Sequence, residues 1–200
     1  MSQDTLRHLR PSDYRVMPWK NGGGTTTELI IEPFGASLDS GFLWRLSMAE
    51  VGVSGPFSRF IGYDRTLLLL EGRGMHLDFE QGTSLHLDRL LEPVAFRGDA
   101  LTFGSLLEGP CRDFNVITQR ARYQHRLEVL RLDAQPRPIL QAQIRFIFCV
   151  TGKVQVNSFH LSAMELLRVE TGSKDLEASS LEPSGAVILA IGIDPVQGLS

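Results

Sequence analysis

Trp44, Leu46 and Met48 alternate with Arg45, Ser47 and Ala49, and this two-residue period recurs along the chain. Successive side chains of a strand point to opposite faces, so the alternation predicts a strand with one buried face. Thr66–Glu71, Met75–Phe79, Ser84–Leu87, Ala100–Leu107 and Asp113–Gln119 continue the pattern, with Gly, Pro or Asp at their ends. Arg145–Thr151, Lys153–Phe159, Glu165–Glu170 and Ala186–Ile193 repeat it in the last third. Few stretches carry a helical period. The best, Leu161–Leu167, is short and competes with a strand. Many short strands punctuated by turn residues predict a sandwich or barrel.

The pattern occurs twice. An apolar strand at Leu67–Leu70, a turn at Gly72 and an alternating strand are echoed by Phe146–Val150, Gly152 and another alternating strand. Downstream, Glu92-Pro93 through Gly98 is echoed by Glu182-Pro183 through Gly185. Two copies of one β unit account for both, with a seam near Ala121–Gln124 and a stiff Gln135-Pro136-Arg137-Pro138 beyond it. The expected organisation is an N-terminal lobe at 1–122 and a C-terminal lobe at 123–200. The cadence is that of a jelly roll of the cupin kind, so the fold class is all-β, a cupin-like double barrel (bicupin) with little helix.

The 200 residues are 42% hydrophobic and 22% charged with a net charge of −3, which gives no reason to expect nucleic acid or an anionic membrane as a partner. Apolar runs such as Leu67–Leu70 and Ala186–Ile191 are too short to span a bilayer, and the polar start lacks a signal-peptide core. A cytoplasmic location is the expectation. Cys111 and Cys149 have neither CxxC spacing nor a histidine cluster and read as small buried hydrophobes.

Pro18-Trp19-Lys20-Asn21-Gly22-Gly23-Gly24-Thr25-Thr26-Thr27-Glu28 is not explained by core building. Three glycines carry a high backbone entropy cost and no side chain to bury. A flexible turn is one reading. The other is a binding loop in which backbone N–H groups of Gly22 and Gly23 converge, Lys20 brings charge, Asn21 brings an amide and Trp19 brings an apolar wall. Lys20 precedes the glycines, so this is no Walker loop, and no βαβ unit makes it a dinucleotide fingerprint.

None of His8, His76, His86, His125 and His160 forms a His-x-His pair. The usual cupin metal set is therefore not legible, and no metal ligand, cofactor or catalytic residue is assigned. Arg45 and Arg65 lie in apolar strand contexts, where an unpaired buried charge is costly. Internal partners are on offer: Glu28 or Glu50 for Arg45, and Asp64 or Asp113 for Arg65. Taken jointly with Lys20, Asn21 and Asn115, the two arginines read as a site for a carboxylate, which a guanidinium fork grips bidentately.

A set of separated motifs carries a specific resemblance. Pro18–Gly24, Phe42-Leu43-Trp44-Arg45-Leu46-Ser47, Gly55–Arg65 followed by Phe96-Arg97-Gly98-Asp99, and Asp113-Phe114-Asn115-Val116 resemble, in order, the HutD/Ves family. The final third matches by pattern only. The resemblance implies a two-lobed cupin-like fold in a bacterial cytoplasmic protein associated with histidine degradation, with no established catalytic activity. It implies a pocket lined by Trp19, Lys20, Asn21, Arg45, Arg65 and Asn115. The expected role is to sense or buffer a small carboxylate of that pathway, of the N-formylglutamate or urocanate class, and so to regulate histidine utilisation. Two alternatives stand beside it. One is a metal-independent isomerase or hydrolase using Asp113, Glu28 or His76 as acid or base; the other is a protein-interaction module. A homodimer is expected by analogy with cupin sheets, which often pair.

Overall fold

The alternating segments become strands almost everywhere, and the one helical element among the described residues is a single 3-10 turn at Pro11–Asp13. The computed structural model describes residues 5–170 and 175–197. In chain order the strands are β1 (Thr5–Leu9), β2 (Arg15–Pro18), β3 (Gly24–Glu32), β4 (Trp44–Val51), β5 (Gly55–Pro56) and β6 (Tyr63–Glu71). Next come β7 (Met75–Phe79), β8 (Ser84–Leu87), β9 (Pro93–Arg97), β10 (Thr102–Leu106), β11 (Cys111–Gln119), β12 (Tyr123–Leu132) and β13 (Arg137–Pro138). The last are β14 (Ile144–Thr151), β15 (Lys153–Val156), β16 (Phe159–Ser162), β17 (Leu166–Glu170), β18 (Glu177–Ser180) and β19 (Ala186–Pro195).

The chain forms two units. The N-terminal lobe takes Tyr14–Gln124 with the described residues from Val196 onward; the C-terminal lobe takes His125–Pro195 with the described residues up to Asp13. A cut at 122/123 assigns β1 to the N-terminal lobe, whereas β1 pairs antiparallel with β17, Thr5 opposite Glu170 through Leu9 opposite Leu166. The seam region lies at the start of β12, a continuous strand of ten residues.

Strand order reveals the duplication. The N-terminal lobe has sheets β2-β3-β4-β11-β6-β9 and β5-β10-β7-β8. The C-terminal lobe has β1-β17-β14-β19-β12 and β13-β18-β15-β16. The run β4-β11-β6-β9 corresponds one for one to β12-β19-β14-β17, and β5-β10-β7-β8 to β13-β18-β15-β16. The echoed turn glycines hold the same left-handed conformation, φ 90° at Gly72 and 82° at Gly152. Each lobe is thus two antiparallel sheets of the jelly-roll kind, with β2 and β3 added to one copy and β1 to the other.

The helical candidate at Leu161–Leu167 is a correction: those residues fall in β16, a turn and β17. Tertiary pairing decides it, because Met164 N–H donates to Cys149 C=O at 2.7 Å and Cys149 N–H to Glu165 C=O at 3.0 Å. Lys153–Phe159 is likewise not one strand, since Asn157 at φ 47° turns the chain between β15 and β16.

In the N-terminal lobe the inward positions of adjacent strands form layers. Val51 and Cys111 oppose each other, then Thr26, Ala49, Asp113 and Leu69, then Glu28, Ser47, Asn115 and Leu67, then Ile31, Arg45, Ile117 and Arg65. Apolar clusters occupy both ends: Val51, Leu67, Leu69, Met75, Leu77, Leu87 and Cys111 at one, Ile31, Phe42, Tyr63 and Ile117 at the other. Along β4 and β11 a polar band interrupts the apolar positions. A bulge lets β3 serve both. Glu28 opposes Ser47 and Ile31 opposes Arg45, with two residues between them on β3, Leu29 and Ile30, against Leu46 alone on β4, so both Glu28 and Ile31 face inward.

Candidate functional site

The polar band opens into a cavity of about 800 Å³ wholly within the N-terminal lobe, a size suited to a small ligand. Six of the sequence-selected residues meet there: Trp19, Lys20, Asn21, Arg45, Arg65 and Asn115. Glu28, Ser47, Asp113, Phe57 and Phe60 line it as well.

Gly22 and Gly23 do not line the cavity, and their N–H groups do not converge on it. The string folds as the turn between β2 and β3. Trp19 N–H donates to Gly24 C=O at 2.9 Å, and Gly22 N–H donates to Trp19 C=O at 3.0 Å. Asn21 Oδ1 accepts from Gly23 N–H at 3.0 Å. The glycines answer to backbone geometry instead. Gly22 sits at φ 70°, and a Cβ on Gly24 would lie 2.2 Å from the Glu50 carbonyl oxygen and 3.0 Å from the Trp19 ring. The turn thereby presses Trp19 into place, where its indole N–H donates to Thr26 Oγ1 at 2.8 Å. Lys20 is exposed.

The two arginines are held differently. Arg45, 4% exposed, donates from Nε to Glu28 Oε2 at 2.7 Å, so the internal partner on the neighbouring strand is real. Arg65, also 4% exposed, has its guanidinium carbon 5.1–5.5 Å from the ring centroids of Phe57, Phe60 and Phe96. Aromatic faces stabilise a cation that lacks a carboxylate partner. One nitrogen, Nη1, donates to the Ser58 carbonyl at 3.3 Å, while the buried Nε has no protein acceptor. Burial lowers its pKa to about 10 despite the Asp113 carboxylate, so it stays cationic at neutral pH.

Asp113 is 1% exposed, and neither carboxylate oxygen has a hydrogen-bond partner. Burial pushes its pKa up to about 7, with the Arg65 charge pulling the other way. The Asn115 Oδ1 is buried and unpartnered too. Buried polar atoms without partners are uncommon, and here three converge with the Arg65 Nε on one cavity. Asp64, the other partner offered to Arg65, binds Arg120 at 2.7 Å instead.

The C-terminal lobe keeps one member of this band, the buried Arg145, which like Arg65 stands seven residues before the echoed glycine; the rest is apolar. Leu69 and Cys149 each stand three residues before the echoed glycine. Leu69 opposes Asp113, whereas Cys149 opposes Ile188. The positions answering to Asp113 and Asn115 are thus Ile188 and Ala190, both in an apolar core with Ile147 and Cys149. The sequence offers Asp113 as an acid or base or as an internal partner for Arg65, not as part of the pocket, and singles out neither Ser47 nor the phenylalanine cage. The two-residue steps Asp113 to Asn115 and Arg45 to Ser47 were the available signal.

Comparison with known proteins adds a second line. The HutD family model matches residues 11–188. A 21.2 kDa protein of Pseudomonas putida, described by its place in a hutC 3' region, is 41% identical over 157 residues, 78% of this chain and 79% of that protein. A conserved protein of unknown function from Pseudomonas aeruginosa has a crystal structure matching with TM-score 0.83 and 36% identity, over 95% of this chain and 99% of that one. HutD from Pseudomonas fluorescens, solved in a formate condition, matches with TM-score 0.79 and 36% identity, over 96% and 100%. Cupin-fold structures such as an oxalate decarboxylase match with TM-score 0.64 at 9% identity, which shows the fold alone.

Proposed function

This chain belongs to the HutD family, and we propose that its N-terminal cavity binds a small carboxylate arising in histidine degradation, so that the protein senses or buffers that compound and regulates histidine utilisation. The observation that carries the reading is the set of unpartnered buried atoms on Arg65, Asp113 and Asn115 in one cavity. Four cations, Arg15, Lys20, Arg45 and Arg65, line it against three carboxyl groups, Glu28, Asp39 and Asp113. Burial raises the Asp113 pKa and so weakens its negative charge, and the balance favours an anionic guest.

Each role follows from donor chemistry. Arg65 offers a buried Nε–H, Lys20 an exposed ammonium, and both suit carboxylate oxygens. Asn115 Oδ1 accepts from an amide or imidazole N–H. Asp113 donates to the ligand when protonated, or accepts from it when charged. Glu28 neutralises Arg45 and fixes its plane, and Trp19 forms an apolar wall. N-formylglutamate and urocanate both offer a carboxylate and an N–H.

Titration calorimetry with N-formylglutamate, urocanate and formate tests the reading. Saturable binding of one of the two larger compounds, lost in Arg65→Ala, supports it; no binding of any at millimolar concentration refutes it.

A second reading has its own observation. An unpartnered buried carboxyl with a pKa near 7 is the property of a general acid or base. On that reading Asp113 moves a proton on the same class of carboxylate. Proton NMR of N-formylglutamate with the protein separates the two, because steady turnover that Asp113→Asn abolishes favours the enzyme.

A further inference from the structure

We propose that His76, His86 and Asp88 form a binding site for a divalent transition-metal ion on the outer face of the β5-β10-β7-β8 sheet, apart from the carboxylate cavity. In sequence the histidines are ten residues apart and look unrelated. The β7–β8 register brings them directly opposite one another, with Met75 facing Leu87, His76 facing His86 and Leu77 facing Leu85.

Alternation fixes the face. Met75, Leu77 and Leu87 are buried in the apolar cluster, with Leu85 packed against it. His76 and His86 therefore point outward, and neither lines the cavity. Their ring centroids are 4.2 Å apart. His86 Nδ1 lies 3.8 Å from Asp88 Oδ2, and one ligand atom from each of the three residues lies within 4.8 Å of the others.

The chemistry suits a borderline cation. Two imidazoles and one carboxylate are the donors of Zn²⁺, Ni²⁺ or Cu²⁺, not of Ca²⁺ or Mg²⁺. Bonds of about 2.0–2.1 Å in tetrahedral geometry need donor atoms roughly 3.3 Å apart. The side chains must close by an ångström or so, which His86 and Asp88, at 59% and 37% exposure, can do by rotation. Water completes the coordination.

The surroundings favour positive charge. Asp78, two residues from His76 on the same face, accepts from Ser84 Oγ at 2.6 Å and Ser105 Oγ at 3.1 Å. A fixed carboxylate thus stands beside the pair and is available to orient an imidazole.

The test is a zinc titration of the untagged protein against a chromogenic chelator, with melting temperature followed in parallel. One ion per chain with micromolar affinity is expected. His76→Ala or His86→Ala should weaken it by at least about tenfold, and the double variant should abolish the zinc-dependent rise in melting temperature. Asp88→Asn should weaken it less. His86 and Asp88 are exposed and His76 is half-buried, and circular dichroism checks the fold of each variant. Failure of the wild type to bind at submillimolar zinc, or wild-type affinity in the double variant, overturns the proposal. Carboxylate calorimetry on the double variant should be unchanged, so the two sites stand or fall separately.

Discussion

Arg65 and Asp113 face one cavity from neighbouring strands, and no hydrogen bond joins them. Burial acts on both, lowering the arginine to about 10 and raising the carboxyl to about 7. Arg45 and Glu28 show the alternative nearby, a buried pair closed at 2.7 Å. One pair is finished within the protein; the other leaves its bonding capacity turned towards whatever enters. Four expectations follow from this contrast and from the turn that frames it.

Asp113 should make stability depend on pH. Its folded pKa of about 7 stands above its ordinary 3.8. Between those values the folded state binds more protons than the unfolded chain, so stability falls as pH rises through that window and levels off above about 7. Asp113→Asn removes the effect. Urea denaturation should find the variant more stable than wild type by roughly 1–3 kcal/mol at pH 8, with the gap closing towards pH 5.

Glu28→Ala should cost about 3–5 kcal/mol, because it leaves the Arg45 charge buried and alone. Replacing both partners, Glu28→Leu with Arg45→Met, should recover most of that loss in the same denaturation experiment.

The turn glycines should differ in sensitivity. Gly22→Ala strains a left-handed residue in open space and should cost about 1 kcal/mol. Gly24→Ala drives a methyl onto the Glu50 carbonyl and the Trp19 ring. It should cost more than about 2 kcal/mol and shift the tryptophan fluorescence, since Trp19 must move.

Carboxylate binding should take up a proton. A carboxylate guest beside Asp113 favours its neutral form, so affinity should rise as pH falls from 8 to 6. Calorimetry in buffers of different ionisation enthalpy reads the uptake directly, and Asp113→Asn should abolish it.

Much of the fold was legible because its signal is local. Alternation at Trp44–Ala49 and glycines at 72 and 152 specify strands and turns before any contact is known. What failed was set by distant partners. Leu161–Leu167 is apolar enough for either structure, and only pairing with the chain near Cys149 decides for strands. Trp19, Lys20, Asn21, Arg45, Arg65 and Asn115, which the family resemblance groups, do line one cavity. Of the two readings open for Gly22 and Gly23, the structure takes the turn; the string alone does not decide, because a glycine's backbone freedom serves a tight turn as well as an anion cradle. The pairing of His76 with His86 was invisible, since it depends on the register of β7 and β8.

The most direct test of the carboxylate-binding account is calorimetry of N-formylglutamate and urocanate against wild type, Arg65→Ala and Arg65→Lys. The account predicts one site per chain for at least one compound. Loss of the buried Arg65 should weaken it by about 2–5 kcal/mol, and lysine should restore only part, having charge but no fork. Binding of equal strength in folded Arg65→Ala, or no heat from either compound with wild type, would contradict it.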